Sequence, residues 1–515
     1  MSQYIIAYDL GTGGNKASIY DANGHCLSHT FVSYDTLYPA PGWHEQRPLD
    51  WWNAIVESTH QLLNKVDIDP KLIKAIGISG HSLGVVPLDN QGNLLLDSTP
   101  IWSDSRPDKQ IDDFFKHISK DDWYMKTGNG FPPGLYSIFK IMWYRDNQPE
   151  MFAKIHKIIG TKDFINYKLT GKIATDFSYA SGCGVYDLKN WKYCDDLIAA
   201  SGIDKNLLPD ILPSTEVLGK LTPDAASQLG LGEHVAVVAG GVDNSCMALG
   251  ARAFKDGRIY NSLGSSSWIA VSSEKPLLDK KVCPYVFTHV VPGMFASAVA
   301  IFSAGSSFRW VRDAIAKDLS QQADETGKDV YDLMTEEAAT SPAGSRKLLF
   351  NPSLAGGTSL DPSQNIRGAF IGLDLGHTRG DMLRASMEGV AMGLRIALDK
   401  LRKLTQLDDE MIVVGGGSKS KFWRQIYADV YKLDIVKTNI DQQAAALGAA
   451  AIAAVGVEVW DNFDKIDEIH EIENTTSPEI QNSACYDKLL PVFKLATEHL
   501  SQIGDAIAKL NLSGE

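Results

Sequence analysis

Cysteine is scarce. The chain has six in 515 residues, at Cys26, Cys183, Cys194, Cys246, Cys283 and Cys485. None forms a Cys-x-x-Cys pair and none has metal-ligand spacing. That excludes a disulfide framework or zinc ribbon and fits a reduced, cytoplasmic protein. An excess of positive charge is also missing. Against 63 Asp+Glu stand 49 Lys+Arg, a formal net charge of −14. A broad surface for nucleic acid or anionic membrane is therefore disfavoured, although a local basic pocket for a nucleotide is not. Long apolar runs are absent too. The longest stretch of low polarity, Ala444–Gly456, is too short and too rich in alanine to span a bilayer. No basic region opens the chain, and Asp9 interrupts its first apolar run, unlike a secretory signal. Three chemistry motifs are missing: GxxxxGK[ST], HExxH and a convincing GxSxG. Their absence disfavours P-loop enzymes, zinc proteases and α/β-hydrolases.

What remains is ordinary globular composition, 44% hydrophobic and 22% charged, over a length that calls for two or more domains. Strand and helix patterns alternate from end to end, the mark of an α/β protein. Strands are expected at Tyr4–Tyr8, Lys16–Tyr20, Cys26–Val32, Ile73–Ser79 and Val85–Asp89. Others are expected at Val235–Ala239, Arg258–Leu263, Ser267–Ser272, Met294–Phe302 and Ile412–Val414. Leu49–Asn64, Phe422–Tyr431, Met382–Leu404 and Tyr486–Leu510 have helical periodicity. Asp467 to Glu479 is polar and acidic and reads as a solvated loop or helix edge.

Tyr4–Lys16, YIIAYDLGTGGNK, is the most informative segment. An apolar strand ends at Asp9 and turns through glycines, with Thr12 and Lys16 beyond. Glycine lets backbone N–H groups approach a phosphate closely. Asp9 could hold a hydrated magnesium ion, and Lys16 could offset phosphate charge. A polar-tipped hairpin is the plainer reading. SLGSSS at Ser262–Ser267 repeats the strand–Leu–Gly–hydroxyl layout about 250 residues later, which suggests a duplicated architecture with a cleft between the halves. The divide falls near residues 245–257.

Two further glycine turns follow strands. Ala239-Gly240-Gly241-Val242-Asp243-Asn244-Ser245 places an aspartate just ahead of an apolar helix. That Asp could simply cap the helix, or accept a bound hydroxyl in the space the glycines clear. Val413–Ser420, VVGGGSKS, could lie flat against a nucleotide base or ribose, or be a plain loop. Together the four segments supply what phosphoryl transfer needs, which is positioning and charge stabilisation. In that scheme Asp243 takes the acceptor proton late. The helix N-terminus is expected to lower its pKa and make it a weak base.

These residues resemble the FGGY carbohydrate kinases over essentially the whole length. Gly368–Glu388, GAFIGLDLGHTRGDMLRASME, is similar to the family's C-terminal signature, with Gly372, Asp381, Ala385 and Glu388 in place. Ser137, Lys140, Trp143 and Asn147 fit its N-terminal signature, whereas Leu135 departs from it. Gly42–Gln46, Trp102-Ser103-Asp104, Lys162-Asp163-Phe164 and Thr175–Ser178 are further family-like stretches. The resemblance implies two actin-like (ribonuclease H-like) α/β domains flanking a central cleft. Residues 1–247 would form the sugar-binding, catalytic half and residues 248–515 the nucleotide-binding half. It implies ATP and Mg²⁺ as cofactors and a homodimer. Asp243 is the expected catalytic base. Gly11, Thr12, Gly13, Lys16, Gly264, Ser265, Gly305, Gly416, Gly417 and Ser420 are the expected nucleotide contacts, and Asp9 and Asp243 the metal-side carboxylates.

For the acceptor, the candidates are His81, Ser82, Trp102, Asp104, Asp243 and Asn244, each with a structural alternative. The layout resembles the xylulokinase branch most, in part through the Asp243-Asn244 pair. Yet Ser79-Gly80 is followed by His81-Ser82-Leu83-Gly84, which displaces the branch's histidine by two places. The implied reaction is ATP-dependent phosphorylation of xylulose or a related ketopentose. The rival acceptors are a sugar acid or polyol. A rival of another class is an actin-like or chaperone-like ATPase.

Overall fold

The computed structural model describes residues 3–510. They form two compact units. One comprises the described residues up to Asp256, with Ser272–Ser297 and Gln443–His470; the other comprises Gly257–Val271, Ala298–Gln442 and the described residues from Glu471 onward. Each is discontinuous in sequence, whereas the reading above drew one boundary after residue 247.

The first unit is built on strands β1 (Tyr4–Gly11), β2 (Gly14–Asp21), β3 (Cys26–Ser33), β4 (Ile73–Gly80), β5 (Val217–Lys220) and β6 (Ala236–Val238), in the order β5-β6-β4-β1-β2-β3. The tip Gly11–Gly14 does close an antiparallel hairpin, β1–β2. β4 runs parallel to both β1 and β6. A two-residue strand, β7 (Gly241–Val242), extends the β6 side of β4. Helix α1 (Pro48–Lys65) starts with proline in its first turn and turns Trp51, Ile55 and Leu62 inward, spaced by one and then two turns. They pack with Ile6, Tyr8, Ile19 and Ile76 of the sheet.

The second unit repeats this plan. Strands β8 (Ile259–Leu263), β9 (Ser267–Ser273), β10 (Phe295–Ile301), β11 (Glu410–Val414), β12 (Asp434–Thr438) and β13 (Ile472–Thr476) follow the order β10-β9-β8-β11-β12-β13. β8 pairs antiparallel with β9 and parallel with β11. β12 runs parallel to β11 and antiparallel to β13. Matching β1 to β8 and β4 to β11 superimposes the two strand orders, and the echo of DLGTGG in SLGSSS is the residue-level trace of that match. The molecule is thus a two-domain α/β protein.

One expectation holds only in part. Asp467–Ile469 is the end of the helix Lys465–Ile469, as a helix edge would be, but Ile472–Thr476 is the edge strand β13. Its hydrogen bonds come from β12, and a short polar run does not reveal that partner. An ion pair between Lys437 and Glu473 joins the two strands. The helices are close to expectation, at Arg379–Leu401, Lys421–Tyr431 and Ile480–Ile507.

Ala444–Gly456 returns to the first unit as a buried helix. It lies against β1, β4 and the helix Asp243–Gly250. Its alanines and its Gly448, with Gly77 and Gly250 on the elements facing it, permit backbone-to-backbone contact. A Cβ on Gly77 would sit 2.1 Å from the Ala449 carbonyl oxygen, and one on Gly250 1.8 Å from that of Ala444. A Cβ on Gly448 would sit 2.0 Å from the Cys246 carbonyl oxygen. Gly→Ala inside a helix ordinarily stabilises by about 0.5–1 kcal/mol. For Gly448→Ala we expect the opposite, a loss of about 2 kcal/mol or more in urea unfolding, because the clash is with backbone. Gly219→Ala, whose nearest neighbour would be 3.8 Å away, serves as the near-neutral comparison.

Candidate active site

The register of three strands assembles the first half of the site. On β1 and β4, Asp9 lies opposite Ser79 and Leu10 opposite Gly80. On β4 and β7, Gly241 lies opposite Ser79 and Val242 opposite Gly80. The parallel pairing therefore stops in step at Leu10, Gly80 and Val242, and the next residues are Gly11, His81 and Asp243. Carboxyl ends of parallel strands are where open α/β sheets bind ligands.

Asp9 is buried. Its Oδ1 accepts the Ser79 hydroxyl at 3.0 Å, and its Oδ2 is 3.7 Å from Lys16 Nζ. Burial raises its pKa, while Lys16 and Ser79 pull it back. The turn above it is braced from below. Tyr34 donates its hydroxyl hydrogen to the Gly11 carbonyl, Gln46 donates to the Thr12 carbonyl at 2.7 Å, and Trp102 Nε1 donates to Thr12 Oγ1 at 2.8 Å. No atom lies within 4 Å of where a Gly13 Cβ would be, so the tip of the turn stays open.

Asp243 is the first residue of helix α3 (Asp243–Gly250), and Val242 occupies the cap position. It therefore does not cap the helix as a lone N-terminal aspartate would. Its Oδ1 accepts the Asn244 amide hydrogen at 2.8 Å. The expected lowering of its pKa is also overturned. Burial drives it from 3.8 up to about 7; the Asn244 hydrogen bond opposes the rise and the neighbouring negative charge of Asp9 adds to it. Loss of water outweighs the dipole of a two-turn helix.

The acceptor candidates separate. His81 is buried, edge-on to Trp51, with Nδ1 3.4 Å from Thr161 Oγ1 and no partner for Nε2 among the described residues. Burial takes its pKa down to about 4, so the ring is neutral at pH 7. Ser82 is buried beside it, and Asn244 sits next to Asp243 on the first turn of α3. Trp102 is partly exposed and bound to Thr12, which places it at the glycine turn. Asp104 must be withdrawn as a sugar ligand. It is fully buried, its Oδ1 accepts from Arg106 Nε at 2.9 Å, and its Oδ2 accepts from Arg106 Nη2 and the His44 amide, both at 2.7 Å. Arg106 also pairs with Glu45 at 2.6 Å and lies 4.0 Å over Trp43. Gly42–Gln46 and Trp102–Asp104 are therefore parts of one closed ion cluster, with Gln46 bracing the turn.

In the second unit, Gly264, Ser265, Gly305, Gly416, Gly417 and Ser420 all line one cleft of about 650 Å³. Gly305 opens a helix (Gly305–Ala314) and donates its amide hydrogen to the Gly264 carbonyl at 3.0 Å; a Cβ there would sit 2.5 Å from that oxygen. Gly415 holds φ +92°, which turns the chain off β11 into the cleft wall. Ser420 caps the following helix, accepting from the Trp423 amide at 3.2 Å. Sequence reading missed the apolar and charged walls, Phe308, Tyr331, Trp423 and Arg309. The first three are aromatic and suit a flat base. Arg309 reaches within 3.5 Å of Ser265 Oγ. They belong to helices whose inward faces carry no glycine signal.

The comparisons with known proteins accord with this geometry. The model of the FGGY family of carbohydrate kinases, N-terminal domain, matches residues 4–250, and that of the C-terminal domain matches residues 259–457. The chain belongs to the FGGY family of carbohydrate kinases. A xylulose kinase of Staphylococcus xylosus is 29% identical over 493 residues, 95% of this chain and 99% of that protein. Among solved structures, a gluconate kinase from Lactobacillus acidophilus superposes with TM-score 0.88 at 26% identity, covering 98% of this chain and 100% of that one. A xylulose kinase from the same organism gives 0.87 at 27%, covering 98% and 99%. This FGGY kinase therefore has the actin-like, ribonuclease H-like fold. It is a phosphotransferase acting on a sugar, with ATP as phosphate donor. The rival reading as a non-metabolic ATPase falls. Among the described residues, no helix is long and apolar enough to cross a membrane.

The Asp243 carboxyl links pH to stability. From about pH 4 to 7 the folded kinase keeps a proton that the unfolded chain has lost. The stability cost of ionising it is thus absent below that window, grows through it and is complete above it. In metal-free buffer, Asp243→Asn is expected to raise the melting temperature by about 2 °C or more at pH 8 and to give no gain near pH 4. An equal effect at both pH values would show that the carboxylate is not desolvated.

Proposed function

We propose that this kinase transfers the terminal phosphate of ATP to a hydroxyl of xylulose or a related ketopentose, with Asp243 as the base. The observation that carries the reading is the in-step ending of β1, β4 and β7, which sets Asp243 close to Asp9 with a pKa of about 7. A base poised near the working pH is suited to accepting a hydroxyl proton. The half of the chain in residues 1–247 binds the sugar and supplies the base. The half in residues 248–515 holds the nucleotide in the cleft between Gly264 and Gly417. Gly11, Thr12, Gly13 and Lys16 contact phosphate.

Asp9 and Asp243 fit a hydrated magnesium ion. Each carboxylate lacks a full complement of protein donors, their charges repel, and Mg²⁺ usually takes one or two carboxylates and keeps water in the other positions. Bound there, the ion would neutralise charge on the phosphates. Lys16, half exposed beside Asp9, adds a second positive charge.

A neutral acceptor is favoured over a sugar acid by the state of the nearby cations. Arg106 is neutralised by Asp104 and Glu45. Lys140 is buried, with Nζ donating to the Leu83 and Ile101 carbonyls at 3.1 and 2.6 Å, and burial takes its pKa down to about 7. Lys162 lies between two aspartates. None of these is directed at a ligand carboxylate. The cytoplasm is the expected compartment. A homodimer is supported by the exposed Val492, Leu495, Ile503 and Ile507 on one face of the helix Ile480–Ile507.

The test is ADP release across a panel of ketopentoses, polyols and aldonates, with Asp243→Asn in parallel. Stimulation by xylulose or another ketopentose is expected, and Asp243→Asn should lose about 10³-fold or more in turnover while still binding ATP. Stimulation by gluconate alone would overturn the ketopentose assignment. Near-normal turnover in Asp243→Asn would remove Asp243 as the base.

A further inference from the structure

Lys162-Asp163 and Thr175–Ser178 are family-like stretches for which sequence reading found no role. The structure brings them together directly behind the Asp243 turn. Lys162, at 0% exposure, extends from the helix Thr161–Thr170. Its Nζ is 2.5 Å from Asp163 Oδ1, 2.9 Å from Asp176 Oδ1 and 3.0 Å from the Ala239 carbonyl oxygen. Three donors meet three acceptors. Asp176 is equally buried, and its Oδ2 accepts from the Ser178 amide at 2.9 Å, the Ser178 hydroxyl at 2.5 Å and the Ser214 hydroxyl at 2.8 Å. Because the Ser178 hydroxyl donates to Asp176, its oxygen is oriented to accept. It accepts the Val242 amide hydrogen at 2.9 Å. At the other end of the turn, Asn166 Nδ2 also donates to the Ala239 carbonyl, at 2.8 Å.

Ala239-Gly240-Gly241-Val242 is thus gripped at its first carbonyl and its last amide, and Asp243 is the next residue. The turn needs such a grip. Gly240 holds φ +72°, and no side chain at either glycine can anchor the turn by packing. We infer that Lys162, Asp176 and Ser178, with Asn166, form a positioning relay that fixes the Asp243 carboxylate for proton acceptance by clamping both ends of the glycine turn before it. Buried ionic groups often contribute little net stability compared with apolar residues of similar volume, so stability alone does not account for this cluster. The relay touches neither the acceptor nor phosphate; it acts through the backbone of Ala239 and Val242.

The inference rests on Asp243 being the base, and the experiment separates the two claims. Ser178→Ala removes the acceptor for the Val242 amide and leaves the Lys162–Asp176 pair in place. Steady-state kinetics are measured with ATP and with xylulose, ribulose or gluconate, whichever the parent enzyme turns over, beside Asp243→Asn. The expected result is a fall of about tenfold or more in kcat, with KM for ATP unchanged within about twofold and a cooperative melt retained. A purely structural role would lower the melting temperature and leave kcat per folded molecule unchanged. Should Ser178→Ala not fold, Asn166→Ala, which loosens the other end of the turn, is read in the same way. Parent-like kcat in the folded variant, with Asp243→Asn inactive, overturns the relay alone. Full turnover in Asp243→Asn overturns both.

Discussion

The placement of the partly exposed Asp243 carboxylate at the ends of β1, β4 and β7 is the constraint around which the first unit is organised. A carboxylate at a helix start and beside water would be a weak base with a depressed pKa. Here β7 ends level with β1 and β4, which sets the group among protein atoms and near Asp9. Burial then dominates the helix dipole, and the carboxyl titrates near neutrality. Such placement destabilises the free protein when the group is ionised. What tolerates it is a rigid surround: a braced glycine turn above Asp9, a clamped glycine turn before Asp243, and an alanine-rich helix packed backbone to backbone against α3.

How much of this was legible follows from where the information is local. Asp9, the turn after it and Asp243 were readable, because a strand, a glycine turn and a polar residue are contiguous in sequence. The six positions of the second unit expected to contact nucleotide are local in the same way, and they line one cleft. The walls of that cleft were not, because Phe308 and Trp423 face it from helices whose apolar faces look like any packing surface. Asp104 was misread because its type suits a sugar; its partner Arg106 is two residues on, but the His44 amide that also binds it and the Glu45 that shares Arg106 lie about 60 residues away. The sign of the Asp243 shift was misread because dipole direction is visible in a sequence and solvent exclusion is not.

The strand orders explain why the two halves echo each other only faintly. What is kept is the sheet order and the glycine turn after the first strand of each. Helices and long loops account for the differences, and loops tolerate change. The return of Ala444–Gly456 to the first unit follows from side-chain size. A helix of alanine and glycine can lie against Gly77 and Gly250 at a distance that larger residues would prevent. Its low polarity, too short a run to span a bilayer, marks a buried helix.

The buried charges of the first unit show one pattern. Arg106, Lys140 and Lys162 each hold fixed partners: two carboxylates for Arg106, two carbonyls for Lys140, and two carboxylates with one carbonyl for Lys162. Apolar replacements would hold the core together as well or better. Carbonyls of Leu83, Ile101 and Ala239, however, need donors wherever the chain leaves a strand, and a lysine ammonium supplies three from one side chain. The cations therefore define where the loops at the strand ends sit. Arg106, Lys140 and Lys162 are all committed to protein partners, and that is the basis for proposing a neutral acceptor.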